Sequence, residues 1–124
     1  MADERYLTHH HDSYALNDGL RVYSDDDPGP GGAYHCYHIE SSNGQPMVNL
    51  FFQKGPRDEP GSTPGLTVES LLSICIDRLE CFQDGPFPSP ENELALDSLK
   101  TALAALRCRA LGRANRGVLG RAEA

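Results

Sequence analysis

The rhythm of apolar and polar positions changes along the chain. In the first half, short runs rich in aromatic and β-branched residues are separated by turn formers. Leu20–Ser24, Ala33–Glu40 (AYHCYHIE) and Met47–Gln53 (MVNLFFQ) each predict a strand. Asn43-Gly44 lies inside the connection SSNGQP and supplies a hairpin signal, although that connection is longer than the favoured two-residue turn. In the second half the spacing becomes helical. Leu72, Cys75, Ile76, Leu79 and Phe82, widened by Leu71, line one face of a helix over Thr67–Phe82. A second helix opens with Ser89 as N-cap, Pro90 in its first turn and Glu91 near its positive end. Its seam is Leu96, Leu99, Leu103, Leu106 and Ala110, a spacing that packs against another helix. The short turn QDGPFPS contains Gly85 and Pro86 and folds the helices back into an antiparallel pair. The pattern predicts a single α+β domain: a small antiparallel β-sheet over residues 1–53, a connecting loop over 54–66, and a two-helix hairpin over 67–124.

With 124 residues, one modest core is what the chain can build, and help from neighbouring subunits is expected. An oligomer follows from the same thinness. No apolar run approaches the roughly 20 residues that span a bilayer, and MADERYLTHHHDSY lacks the layout of a signal peptide, so the expectation is a soluble, intracellular protein. Cys36, Cys75, Cys81 and Cys108 show no C-x-x-C spacing and are expected as free thiols. The net charge of −7 argues against general affinity for DNA or RNA. That average conceals an asymmetry. Arg107, Arg109, Arg113, Arg116 and Arg121 crowd the last stretch, where Glu123 supplies the one carboxylate side chain. A compact anion can bind there while a long polyanion is repelled.

Arg109, Arg113 and Arg116 are spaced by four and three, which places their guanidinium groups on one helix face. Guanidinium forks bind phosphate bidentately and stack on bases, yet cations also suit a helix C-terminus without any ligand. Both readings stand at this level. Phe82 and Phe87 flank the interhelical turn beside Asn92. They suit a staple across the turn, or a stacking surface for a purine with an amide at hand for its polar edge. His35, Cys36 and His38, with His9, His10 and His11, hint at a metal, but strand alternation sets His35 opposite Cys36 and His38, so no metal or other cofactor is expected. The chain contains no G-x-S-x-G elbow, H-E-x-x-H, Walker loop or G-x-G-x-x-G, and GPGG at Gly29–Gly32 lacks the context of a phosphate cradle.

From Phe52 to Gly120 the succession FQKGP, LLSICIDRL, FQDGPFPSPEN, ALDSLKTALAAL and RCRALGRANRGVLG resembles the helical hairpin of phage anti-defence sponges. It is similar in particular to the Thoeris anti-defence family, whose members also carry a small sheet before the hairpin. The resemblance implies a non-enzymatic protein that binds and sequesters cyclic ADP-ribose isomers made by bacterial TIR-domain proteins, with some members taking cyclic di- or trinucleotides of CBASS defence. It implies a homo-oligomer, a hexamer, with pockets where protomers meet, acting in the cytoplasm of the infected host. Carried over by position, Phe82 is the stacking aromatic, Asn92 the polar contact, and Arg109 and Arg113 the phosphate-binding arginines. Arg107 and Arg116 are weaker matches, and Arg57 belongs to a second site for cyclic oligonucleotides. Cys108 replaces a frequent Thr of the family, and Arg121, Ala122 and Glu123 depart from its usual ending. Two other readings compete: a hydrolase of the same signals with His35 or His38 as base, and a ligand-free helical assembly module.

Overall fold

The computed structural model describes residues 4–7, 19–41, 43–54 and 61–115. The chain divides into two compact units, Met1–Gly65 and Leu66–Ala124.

The first unit holds a four-stranded antiparallel sheet in the order β1-β2-β3-β4, with β1 Arg5–Tyr6, β2 Arg21–Ser24, β3 Cys36–Glu40 and β4 Pro46–Phe51. Each strand pairs with the next in sequence, the meander that short connections favour. β3 is shorter than its aromatic run predicts. The Asp26 carboxylate explains where it starts, because it accepts from the backbone N–H of His35 at 3.0 Å and of Cys36 at 3.3 Å. A side chain there takes donors that a longer ladder would use. Gly44 takes a φ of +83° in the β3–β4 connection, a conformation that favours glycine. Ser41 and Gln45 close this connection through a 2.8 Å backbone bond. β1 is a two-residue strand that the apolar pattern does not announce. Its Arg5 donates from Nε to the fully buried Ser24 hydroxyl at 3.1 Å, and its guanidinium lies 3.8 Å from the centre of the Tyr34 ring.

In the second unit, α1 runs over Val68–Asp84 and α2 over Pro90–Asn115. Thr67 caps α1 in a reciprocal arrangement: its hydroxyl accepts from the Ser70 N–H at 3.2 Å, and the Ser70 hydroxyl accepts from the Thr67 N–H at 3.1 Å. Ser89 caps α2 as its sequence predicts, accepting from the Asn92 N–H at 3.0 Å. Ile76, Leu96 and Leu103 form the buried core of the hairpin, with Leu72, Leu79 and Leu99 packed around them. On α1, the stripe differs from the predicted one at two places. Cys75 is exposed and Phe82 is 49% exposed, because the packed positions Leu72, Ile76, Leu79 and Gln83 repeat by four, three and four. That spacing rotates Phe82 off the seam and sets Gln83 on it.

Candidate functional site

The candidate residues occupy the two ends of the hairpin. At the turn, Gln83 holds the backbone of Ser89 from both sides: its Oε1 accepts from the Ser89 N–H at 2.9 Å and its Nε2 donates to the Ser89 carbonyl at 3.0 Å. The same amide nitrogen donates to Glu93 Oε2 at 3.1 Å. Ser89 in turn caps Asn92, so one chain of hydrogen bonds runs from the last turn of α1 into the first turn of α2. Phe82 and Phe87 stand outward around this clamp, 49% and 81% exposed. Phe87 therefore does not serve as a buried staple. Sequence spacing missed Arg78, whose guanidinium sits 5.6 Å from the centre of the Phe82 ring, four residues earlier on the same helix. The i, i+4 relation was legible, but a lone arginine amid Asp77 and Glu80 gave no reason to select it.

The other end is the overhang of α2. That helix has 26 residues against 17 in α1, so its final turns, beginning near Arg107, run past the start of its partner. Arg107 and Arg109 are exposed there, as is Cys108, whereas Arg113 is only 6% exposed. Four residues along a helix thus separate a solvent-facing guanidinium from a buried one. Arg113 also lies in the last turn, where a cation suits the partial negative charge of the helix end. Arg116 and Arg57 lie outside the described residues.

The two clusters do not meet within one chain. Asn92 and Arg109 are 17 positions apart on a single helix, a rise of about 25 Å at 1.5 Å per residue. A small-molecule pocket of roughly 300–1,000 Å³ is on the order of 10 Å across. A pocket using both ends must take them from different copies.

The candidate histidines His38 and His35 lie in and just before β3. Tyr6, Tyr23, His38 and Asn49 are in register across all four strands and share one face. His38 sits 5.0 Å from the Tyr23 ring. Its Nδ1 lies 2.7 Å from Asn49 Oδ1 and its Nε2 lies 2.9 Å from Asp25 Oδ1. Burial pushes the imidazole towards its neutral form, but the hydrogen bonds to Asn49 and Asp25 and the charges of Asp25 and Asp26 outweigh it and raise the pKa. Both ring nitrogens of His38 are thus engaged by neighbouring side-chain oxygens. His35 packs over Gly29, where an added Cβ would lie 2.5 Å from His35 Cε1. Among the described residues no cluster of histidine, cysteine and carboxylate side chains is arranged to hold a metal ion. The four cysteines are unbridged, and burial raises the Cys36 thiol pKa, reinforced by the nearby Asp26 and Asp25 charges. No described helix is long and apolar enough to cross a membrane.

Residues 48–118 match the family model for the Acb2/Tad1 hairpin domain, a span that covers α1, α2 and the turn between them. A protein of Bacillus phage SBSphiJ7, Thoeris anti-defense 1, is 40% identical over 77 residues. That alignment takes in 62% of this chain and 54% of the phage protein, so the chain spans about half the length of its relative. With more than half of its residues inside the matched region, and the sheet-then-hairpin order in place, the chain belongs to the Acb2/Tad1 hairpin family.

Proposed function

We propose that this protein is a phage anti-Thoeris sponge that captures cyclic ADP-ribose isomers, such as glycocyclic ADP-ribose, without cleaving them. The observation that carries this reading is the 40% identity to a relative named for Thoeris anti-defence, within a family defined by the same hairpin. The side chains agree with it. Exposed Phe82 offers a π-face to an adenine, Asn92 a polar contact at the helix start, and Arg109 with Arg113 a cationic end for the pyrophosphate. Because those groups lie at opposite ends of one hairpin, the working pocket is composed from two protomers of a homo-oligomer, a hexamer on the family pattern. The thin core supports the same assembly: Val68, Ile74, Leu94 and Leu111 are each at least half exposed on the hairpin. Arg57 belongs to a second site for cyclic di- or trinucleotides. The place of action is the cytoplasm of the infected bacterium.

Capture and hydrolysis are separated by one experiment. The protein is saturated with a cyclic ADP-ribose isomer, denatured, and the released nucleotide is chromatographed. The sponge returns intact cyclic ligand in proportion to its sites, and linear product in excess of enzyme would establish the hydrolase instead.

A further inference from the structure

We infer that Gln83 is a positioning residue of the ligand site: its side-chain amide fixes the interhelical turn and thereby sets the relative placement of Phe82 and Asn92. The inference rests on the ligand reading proposed above and adds to it a residue that touches no ligand in that reading. Three contacts converge on one amide. Gln83 accepts the Ser89 N–H at 2.9 Å, donates to the Ser89 carbonyl at 3.0 Å and donates to Glu93 Oε2 at 3.1 Å. The first two reproduce, with a side chain, the paired bonds that one strand residue makes to another, so the Ser89 backbone is held in both position and orientation.

What hangs on that backbone is the site. Phe82 precedes Gln83 directly on α1, and Asn92 donates its N–H to Ser89 Oγ at 3.0 Å. A purine stacked on Phe82 and held by Asn92 needs both partners at a fixed separation. The turn between them, Gly85–Pro88, contributes one described backbone bond, from the Gly85 N–H to the Phe82 carbonyl at 3.2 Å. Beside the fixed φ of Pro86 and Pro88, Gln83 adds side-chain bonds that tie the far end of the turn to α1. Its place on the seam, one position from the exposed aromatic, lets a half-buried amide reach under the turn while Phe82 faces outward. Glutamate would keep only the acceptor half of this arrangement and would set a carboxylate against Glu93. Leucine would keep the bulk and remove every bond.

The test compares wild type, Gln83→Leu, Gln83→Glu and Ile76→Ala by calorimetric titration with a cyclic ADP-ribose isomer, well below each melting temperature. Hydrogen exchange of the Ser89 amide is followed in parallel. Ile76 lies buried at the middle of α1, away from both ends of the hairpin, so Ile76→Ala controls for general destabilisation. The expected result is a loss of about tenfold to a hundredfold in affinity for Gln83→Leu, the scale of a small misplacement of binding groups, with faster exchange at Ser89. Gln83→Glu is expected to fall between wild type and Gln83→Leu, and Ile76→Ala to bind as wild type does. If Gln83→Leu binds as tightly as wild type, the positioning role is overturned while the sponge reading survives. If it weakens binding no more than Ile76→Ala does, its effect is general stability and the inference also falls. Failure of the wild type itself to bind would remove the ligand reading and this inference with it.

Discussion

Arg109 and Arg113 look equivalent in sequence, and their surroundings separate them. Arg109 faces solvent, so Arg109→Ala should leave the melting temperature nearly unchanged, a helix-end cation being worth about 0.3–1 kcal/mol. Its effect on capture should be large, since truncating a desolvated charge-assisted partner costs about 2–5 kcal/mol. Arg113, at 6% exposure, should lose capture and stability together when replaced by alanine. Titration beside a thermal melt checks both, and wild-type binding by both variants would remove the arginine end from the ligand site. In the sheet, His38 and Asp26 predict opposite limbs of a pH profile. The His38 pKa is raised on folding, so its contribution is complete below the ordinary histidine range and is lost as pH rises through the folded value. For Asp26, burial raises the pKa but the backbone N–H groups of His35 and Cys36 prevail and lower it, so its contribution is lost as pH falls through the folded value. Denaturation followed across pH should show a shallower upper limb in His38→Gln and a shallower acid limb in Asp26→Asn than in wild type.

The helices were legible because every local signal agreed. Ser89-Pro90-Glu91 marked one start, and the leucine spacing marked the seam that Leu96 and Leu103 bury. Phe82 falls in the predicted stripe because it is a bulky apolar residue at the next helical step, whereas the packed spacing continues to Gln83 and leaves Phe82 exposed. The strands were legible as elements and less so in their limits. Asp26 shortens β3 from a distance of nine residues, and β1 is too brief to carry a period. Of the candidate site, the placement of the named residues at two helix ends is legible in the sequence, but the Gln83 clamp and the Arg78–Phe82 contact depend on rotamers that spacing does not encode. At this scale Leu103→Glu should destabilise the hairpin by at least about 2–5 kcal/mol, the cost of losing a buried leucine, and should dissociate the assembly as well. Light scattering and denaturant unfolding read the two effects.

For the whole molecule, the proposed two-protomer pocket predicts a complementation that a pocket within one chain would not give. Phe82→Ala and Arg109→Ala protomers should each fail to capture ligand alone. Co-expressed, they should recover a minority of functional pockets, because some interfaces then join an intact turn from one copy to an intact arginine end from another. A mixture as inactive as its parents would contradict a pocket shared between protomers. Acidity also belongs to this scale: a net charge of −7 with exposed arginines at one helix end suits a compact pyrophosphate far better than a nucleic-acid strand. The most direct measurement is native mass spectrometry of the protein expressed beside an activated TIR enzyme, with the bound material released and identified. An oligomer carrying an intact cyclic ADP-ribose isomer is the expected result, and a ligand-free protein or one releasing linear ADP-ribose would contradict capture by a sponge.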